Sequence, residues 1–339
     1  MSSTVLVTGG TGFVGGWTIV ELLKRGYVVR TTVRGLDKEP GLRAQISAEV
    51  DPGDRLSFFV ADLTSDAGWD TAVAGCDYVL HVAAPVGVHA PRDPNVLIVP
   101  TRDGVLRVLR AACRAQVQRV VMTSAIEACR PPLISPDGVS DESRWTDTNE
   151  ANLGPYRLAK TLAERAAWDF MATQSGPTTL TTILPAAVLG PVFSAEYAGS
   201  VQIAQRMLNG SLPGLPRFGF CVVDVRDVAD LHIRAMTAPA AAGERFIAAS
   251  DWVWMADVAS VLRAALGNSA KKVPTRGMPD FVLRLVALVD RPMRFVTPLL
   301  GRKHVFTSAK AQAVLDWQPR PAATTIVDSA RSAIAIGAV

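Results

Sequence analysis

The chain has 339 residues, of which 49% are hydrophobic and 19% charged, and its formal net charge is only +4. This is the composition of a globular protein with a substantial core, and the length fits one large domain or two closely joined ones. Because the basic residues are spread along the sequence, the charge pattern argues against a surface that binds nucleic acid.

The sequence gives no sign of a disulfide scaffold, a metal site or a membrane segment. The four cysteines, Cys76, Cys113, Cys129 and Cys221, form no Cys-x-x-Cys pair, and the histidines lack ligand spacing. The amino terminus lacks the basic and apolar regions of a signal peptide. The most apolar later segment, 281–289, is too short to span a bilayer. We therefore expect a cytoplasmic protein without a metal ion and without membrane contact.

Short β-branched runs alternate with helical stretches through the first half of the chain. The predicted strands lie at 5–7, 27–33, 56–60, 78–82 and 119–123, with two more at 179–184 and 245–249. Near-continuous apolar strands separated by helices predict an α/β fold with a doubly wound parallel sheet covered on both faces. The sheet domain should comprise 1–185 and about 222–250, with a smaller discontinuous lobe at 186–221 and 251–339.

A glycine-rich segment follows the first predicted strand, in the order Thr8-Gly9-Gly10-Thr11-Gly12-Phe13-Val14-Gly15-Gly16. Glycines spaced three residues apart, at Gly9, Gly12 and Gly15, allow a tight strand-to-helix turn and let backbone amides approach a pyrophosphate. The amino terminus of the following helix would then face the phosphates. This pattern predicts a Rossmann-type dinucleotide site, whose loop residues are Gly9, Thr11, Gly12, Phe13, Val14 and Gly15.

The end of the second strand indicates which dinucleotide binds. NAD-binding folds often place a carboxylate there, whereas an arginine accommodates a 2′-phosphate. This chain has Arg34 at that position and no carboxylate before Asp37. The sequence therefore favours NADP(H), with Lys38 as a second cation; a solvated arginine at a strand end is the alternative.

Tyr156 and Lys160 are four residues apart, which places both side chains on one face of a helix. This spacing is rarely expected by chance in the present sequence, because the whole chain contains only four tyrosines. A nearby ammonium lowers the pKa of a phenol by favouring the phenolate. The pair therefore predicts a tyrosine that exchanges a proton near neutral pH.

With these motifs, the chain resembles the extended short-chain dehydrogenase/reductase family, in particular its dihydroflavonol reductase and aldehyde/ketone reductase branch. Segments 61–63, 81–85, 141–147, 184–191 and 223–229 support the resemblance over nearly the full length. It implies that Asp62 and Leu63 contact the adenine. It also implies further residues around the cofactor, which are Val82, Ala83, Ala84, Thr123, Pro185 and Val188.

The resemblance also implies a catalytic set. In the family, the tyrosine gives a proton to a substrate carbonyl, the lysine lowers the tyrosine pKa and holds the nicotinamide ribose, and a serine after the fifth strand hydrogen-bonds the carbonyl oxygen. This chain has Ala125 where that serine is expected. Ser124 is the candidate replacement and Thr123 a weaker one, although neighbouring strand residues point to opposite faces.

The function predicted from these observations is NADPH-dependent reduction of a hydrophobic or aromatic ketone or aldehyde. The apolar pocket expected for such a substrate is formed by Phe193, Tyr197, Val201, Met207, Leu208, Phe218 and Val86. Two alternatives stay open: a nucleotide-sugar epimerase or dehydratase on the same fold, and a non-catalytic protein that senses NADP(H). The expected partner is a small-molecule carbonyl compound, and the chain is expected to be a monomer or homodimer.

Overall fold

The computed structural model describes residues 2–85, 93–151, 153–195, 197, 199–289, 294 and 296–339. Its strands are β1 (Thr4–Thr8), β2 (Val28–Val33), β3 (Leu56–Val60), β4 (Tyr78–His81), β5 (Arg119–Thr123), β6 (Gly138–Ser140), β7 (Thr179–Pro185), β8 (Ala187–Leu189), β9 (Leu215–Pro216), β10 (Gly219–Asp224), β11 (Arg245–Ala248), β12 (Trp252–Trp254), β13 (Gly277–Met278) and β14 (His304–Phe306). Its helices are α1 (Phe13–Lys24), α2 (Glu39–Ser47), α3 (Trp69–Val73), α4 (Asn95–Arg114), α5 (Pro155–Ala172), α6 (Gln202–Leu208), α7 (Val225–Thr237), α8 (Met255–Leu266), α9 (Asp280–Val289), α10 (Ala309–Leu315) and α11 (Ala322–Ala335).

Seven parallel strands form the large sheet in the order β11-β7-β5-β4-β1-β2-β3. The strand order reverses between β1 and β4, and ligands of open α/β sheets bind at such a switch point, beyond the carboxyl ends of the strands. The predicted doubly wound parallel sheet is confirmed, and most strand ends lie within one residue of the prediction. This topology places the glycine-rich segment after β1 at the reversal.

Alternation along the central strand shows why helices cover both faces. Val5 and Val7 on β1 belong to a buried cluster with residues of α1 and α7, whereas Leu6 belongs to a second cluster with residues of α4 and α5. All three β1 side chains are fully buried. Successive strand residues point to opposite faces, so a continuous apolar run requires a helical layer on each side.

A smaller layer follows β7. There β8, β10 and β12 form a three-stranded sheet, and its buried side chains pack with α6, α8 and α11. The buried residues of β14, α10 and the following Trp317 lie instead in the cluster of the large sheet. The division into two lobes stays a prediction, but these contacts place 304–317 with the sheet domain and not with the smaller lobe.

Helix α9 exposes most of its apolar side chains. Leu283 and Ala287 are buried, whereas Phe281 and Leu285 are exposed. Within the described residues, no helix has both the length and the apolar character needed to cross a bilayer. All four cysteines lie in the described part and are free thiols.

Candidate active site

The glycine-rich turn between β1 and α1 is closed by contacts that leave no room for side chains. Gly9 has a φ of +72°, and a Cβ there would lie 2.9 Å from the Cα of Ala83. A Cβ on Gly15 would lie 2.2 Å from the carbonyl oxygen of Gly9, which also accepts a 2.9 Å hydrogen bond from the Gly12 amide. Gly9 and Gly15 are therefore required by the turn itself.

The start of α1 fits a dinucleotide pyrophosphate. Gly12 is exposed, no side chain caps the helix, and its first turn carries no acidic residue. Thr11 is exposed, and Phe13 and Val14 are partly buried around the same turn. Free amides and the positive end of the helix dipole favour an anion there.

The end of β4 lies against this turn. Thr8, the last residue of β1, connects this strand to β4. Its hydroxyl accepts a 3.0 Å hydrogen bond from the Ala83 amide and lies 2.9 Å from Nδ1 of His81. Val82, Ala83 and Ala84 are partly buried. The predicted cofactor-lining segment is thus adjacent to the glycine turn, while its contact with a cofactor stays a prediction.

Arg34 is exposed at the end of β2 and makes no hydrogen bond or ion pair within the described residues. Lys38 instead pairs with Asp37 at 3.3 Å, with both side chains well exposed. An exposed guanidinium at the carboxyl end of the strand that pairs with β1 suits a 2′-phosphate. The structure therefore leaves Arg34 as the available cation and shows Lys38 partly neutralised.

Asp62 closes a loop after β3. Its carboxylate accepts hydrogen bonds from the Thr64 amide at 2.7 Å and the Thr64 hydroxyl at 2.6 Å. These bonds lower the pKa of Asp62, and the charge of Arg34 adds to the effect. Leu63 is partly buried and packs against Gly104 of α4. Both residues have structural roles, and their contacts with adenine stay predictions.

Two further predicted cofactor residues lie at the junction with the smaller sheet. Pro185 is buried at the last position of β7, and its neighbour Ala186 donates a hydrogen bond to the Ala248 carbonyl. Val188 is partly buried on β8, where it pairs with Val223. Pro185 thus lies at the carboxyl end of β7 and Val188 just beyond it, while their place beside a nicotinamide stays a prediction.

Tyr156 and Lys160 lie on α5, as their spacing predicts, but in different environments. Tyr156 follows the first residue of the helix and is 42% exposed. Lys160 is buried one turn later, and its ammonium donates a 3.2 Å hydrogen bond to the Thr123 carbonyl at the end of β5. The helix thus presents an accessible phenol and a fixed ammonium near one strand end.

The pKa directions of the pair differ from the prediction. The pKa of Tyr156 is raised, first by partial loss of hydration and second by the Glu127 carboxylate. Burial lowers the pKa of Lys160 to about 8, against the opposing charge of Glu164. The prediction that Lys160 lowers the phenol pKa is therefore not supported in this structure, because the ammonium is directed at Thr123. A raised pKa keeps the phenol protonated at neutral pH.

Neither hydroxyl proposed in place of the missing serine is free. The Ser124 hydroxyl donates a 2.5 Å hydrogen bond to Glu164, and the residue is 3% exposed. The Thr123 hydroxyl lies 2.7 Å from Nε2 of His232, whose Nδ1 contacts the Val228 carbonyl on α7. The two side chains point to opposite faces of the sheet, as expected for neighbours on a strand. This geometry argues against either residue as the group that polarises a carbonyl.

Glu127 is a site residue that the sequence did not reveal. It lies in the short helix after β5 and pairs with Arg130 at 2.8 Å and with Arg157 at 2.5 Å. Despite the cost of its burial, these two cations lower the pKa of Glu127 to about 2. The Glu127–Arg157 pair braces the first turn of α5, where Tyr156 is located. Only the position of Arg157 beside Tyr156 hinted at this role.

The residues predicted to line the substrate pocket have two different roles. Val201, Met207 and Leu208 are buried core residues, because apolar side chains of helix α6 and its start face the interior of the small lobe. Phe218 is partly buried against Phe220. Val86 lies outside the described residues.

Two other aromatic residues of the same set, Phe193 and Tyr197, lie against helix α1. Phe193 stacks on Trp17 with ring centroids 4.7 Å apart, and Tyr197 lies 5.2 Å from Phe13. The Trp17 indole also donates a 2.8 Å hydrogen bond to the Pro191 carbonyl. These contacts attach the segment after β8 to the helix that begins at the glycine turn, so it borders the cofactor site.

The fold and site together define a Rossmann-type dinucleotide-binding protein with a Tyr-x-x-x-Lys pair on helix α5. Comparison with known proteins gives the family. The family model described as "NAD dependent epimerase/dehydratase family" matches residues 5–249, and the chain belongs to this family. The predicted resemblance to the extended short-chain dehydrogenase/reductases and their dihydroflavonol reductase branch is thereby confirmed.

Plant reductases are among the most similar relatives. The chain is 36% identical over 251 residues to cinnamoyl-CoA reductase 1 of Arabidopsis thaliana, covering 73% of this chain and 70% of the relative. It is 35% identical over 276 residues to dihydroflavonol 4-reductase of Zea mays, covering 77% and 73%. Yeast methylglyoxal/isovaleraldehyde reductase Gre2, solved with NADPH, shares the fold with a TM-score of 0.81 at 22% identity, over 99% of this chain and 100% of that one.

Proposed function

We propose that this chain reduces a hydrophobic or aromatic ketone or aldehyde to an alcohol with NADPH, and that Tyr156 donates the proton. The enzyme class, an NADP-dependent oxidoreductase of this family, agrees with the relatives, which are named reductases. The observation that supports the proposal most directly is the accessible, protonated Tyr156 on the same helix as the buried Lys160.

Different residues of the chain would bind the cofactor and transfer the proton. The amides at the start of α1 would hold the pyrophosphate, and Arg34 would pair with the 2′-phosphate. Lys160, fixed on the Thr123 carbonyl, would donate to the nicotinamide ribose. When bound, the reduced nicotinamide supplies the hydride that adds to the carbonyl carbon. Tyr156 then transfers its proton to the oxygen, and a positioned acid of this kind contributes about 10²–10⁴ in rate.

The substrate class is argued from the apolar walls beside the site. Phe193 and Tyr197 offer aromatic surface next to α1. A nucleotide-sugar substrate would instead require free cations in the small lobe. Arg217 there is paired with Asp280 at 2.7 Å, and Arg206 lies 3.4 Å from the Gln202 amide oxygen. This arrangement favours a neutral, apolar carbonyl compound.

We expect the wild-type protein to consume one NADPH for each alcohol formed when it is screened against aryl ketones, aromatic aldehydes and aliphatic aldehydes. Absorbance at the NADPH band and product chromatography measure the ratio. Conversion of a nucleotide sugar without net NADPH consumption would identify an epimerase instead. Tight NADPH binding without turnover of any carbonyl class would favour the sensor and contradict our proposal.

We expect Arg34→Gln to weaken NADPH binding about 10- to 100-fold, because a hydrogen bond to a charged group contributes about 1.5–3 kcal/mol. NADH, which lacks the 2′-phosphate, should bind as before. Fluorescence titration with both dinucleotides measures the two affinities. Lys38→Gln is the matched control and should change NADPH affinity by less than about threefold, since exposed ion pairs contribute little. Equal losses for NADH and NADPH in Arg34→Gln would show that Arg34 is structural.

A further inference from the structure

Glu164 is a fully buried carboxylate on α5, one helical turn after Lys160. One of its oxygens accepts 2.8 Å hydrogen bonds from the Thr182 hydroxyl and from Nε of Arg245. The other accepts the 2.5 Å bond from the Ser124 hydroxyl and a longer one, 3.4 Å, from Nη2 of Arg245. The carboxylate therefore joins helix α5 to three strands of the sheet, β5, β7 and β11.

Arg245, the cation that faces Glu164, is itself held from the other side. Its guanidinium lies 3.8 Å from the centroid of the Trp145 ring, and Nη1 donates to the backbone carbonyls of Glu142 and Arg144. The Glu142 carboxylate in turn accepts a 2.8 Å hydrogen bond from the amide of Ile247 on β11. Segment 141–147 is thus anchored on this strand and supports Arg245 at a fixed place.

A buried ion pair is weak evidence for stability, because removing two charges from water costs several kcal/mol for each ion. Its position suggests a different purpose. Ser124 directly follows Thr123, whose carbonyl accepts a hydrogen bond from the Lys160 ammonium. Glu164 therefore fixes the end of β5 against the same helix that carries Lys160, and it places a negative charge one turn from the ammonium.

We propose that Glu164 is a positioning residue for the proposed reductase reaction, which keeps Lys160 protonated and aligned on the Thr123 carbonyl, and that Ser124 serves this carboxylate and not the substrate. Burial lowers the pKa of Lys160, and Glu164 on α5 opposes this effect by favouring the ammonium. Of the neighbouring groups, His81 on β4 is neutral because burial lowers its pKa to about 3, and Arg245 on β11 pairs with Glu164 at 2.8 Å.

The direction of the pH dependence follows from the charge. Lys160 would hold the ribose as an ammonium, so NADPH affinity is present below the pKa of Lys160 and is lost as pH rises through it. Glu164→Gln keeps the shape of the side chain but removes its charge, which leaves Lys160 and Arg245 as two unbalanced cations. We expect the loss of NADPH affinity to occur about one pH unit lower in this variant than in the wild type.

The test measures NADPH affinity by fluorescence between pH 6 and 10, together with the thermal melting of the protein without cofactor. Glu142→Gln is the control, because Glu142 is also buried, and the glutamine amide oxygen can still accept the Ile247 hydrogen bond that anchors segment 141–147. It should leave the midpoint of the affinity loss unchanged. An unshifted midpoint in folded Glu164→Gln would overturn the proposal, and so would an equal shift in Glu142→Gln.

Ser124→Ala keeps the proposal testable if Glu164→Gln does not fold. It removes one hydrogen-bond donor and no charge, so we expect the affinity midpoint to stay within about 0.3 pH units and kcat to stay within about fivefold. A loss of about 10² or more in kcat would show that Ser124 polarises the substrate carbonyl and would contradict its proposed role. Affinity needs no turnover, so an inactive wild type would count against the proposed function and not against the role of Glu164.

Discussion

Tyr156→Phe lowers the carbonyl reductase activity of this protein by about 10³ or more while NADPH binding is retained. The change removes only the phenolic hydroxyl, which is the accessible acid on α5, and a positioned general acid contributes about 10²–10⁴ in rate. Single-turnover measurements with saturating NADPH would report the chemical step, and fluorescence titration would report the cofactor affinity. Because Tyr156 is exposed, the substitution should leave the melting temperature nearly unchanged.

Tyr78→Phe is the matched control for this experiment. Tyr78 begins β4, and its hydroxyl donates a 3.0 Å hydrogen bond to Gln118 at the opposite end of the strand from the glycine turn. Its loss should leave turnover unchanged. If Tyr156→Phe retained more than about a tenth of wild-type activity, the proton would have to come from another donor, and the proposed mechanism would be wrong.

Ala125→Ser raises kcat by about tenfold or more. The family pattern places its polarising hydroxyl at this position, and the two neighbouring hydroxyls are engaged by Glu164 and His232. A preorganised donor to a developing oxyanion contributes about 10²–10³ in rate, and an introduced serine should recover part of it. Steady-state kinetics over a range of carbonyl concentrations would separate the effect on kcat from an effect on KM.

The double variant Ser124→Ala/Ala125→Ser tests whether the position of the hydroxyl matters, because the number of hydroxyls stays the same. It exchanges the two side chains, so it should be at least as active as the wild type if only the hydroxyl at 125 reaches the carbonyl. Weaker folding is its foreseeable cost, since the Glu164 carboxylate loses one donor. If folded Ala125→Ser is no faster than wild type, the side chain at 125 does not face the substrate oxygen.

Local pattern was enough to predict the elements that hold the site. The strand before the glycine turn, the turn itself and the helix after it are each encoded within about twenty consecutive residues. The structure leaves Arg34 exposed at the end of β2, and its contact with a 2′-phosphate stays a prediction. Val201, Met207 and Leu208 are buried, and apolar composition alone does not distinguish a pocket wall from a core.

The same limit explains the hydroxyls and charges around Tyr156. Ser124 meets a partner 40 residues away, and that partner meets Arg245 a further 81 residues along the chain. No periodicity in the sequence reports such encounters. The spacing within α5 carries one sign of this network, since Glu164 lies four residues after Lys160 on the same face of the helix.

The amino-acid sequence by itself determined the sheet, the dinucleotide turn and the presence of an acid and an ammonium on one helix, since these follow from residue spacing within single elements. Only the tertiary structure decided how the pair is set electrostatically. Lys160 is directed at the Thr123 carbonyl, loss of hydration and the Glu127 carboxylate raise the pKa of Tyr156, and Ser124 is bonded to Glu164. These states depend on burial and on charges brought together from distant segments, because the free energy of an ionised group is set by its neighbours in space.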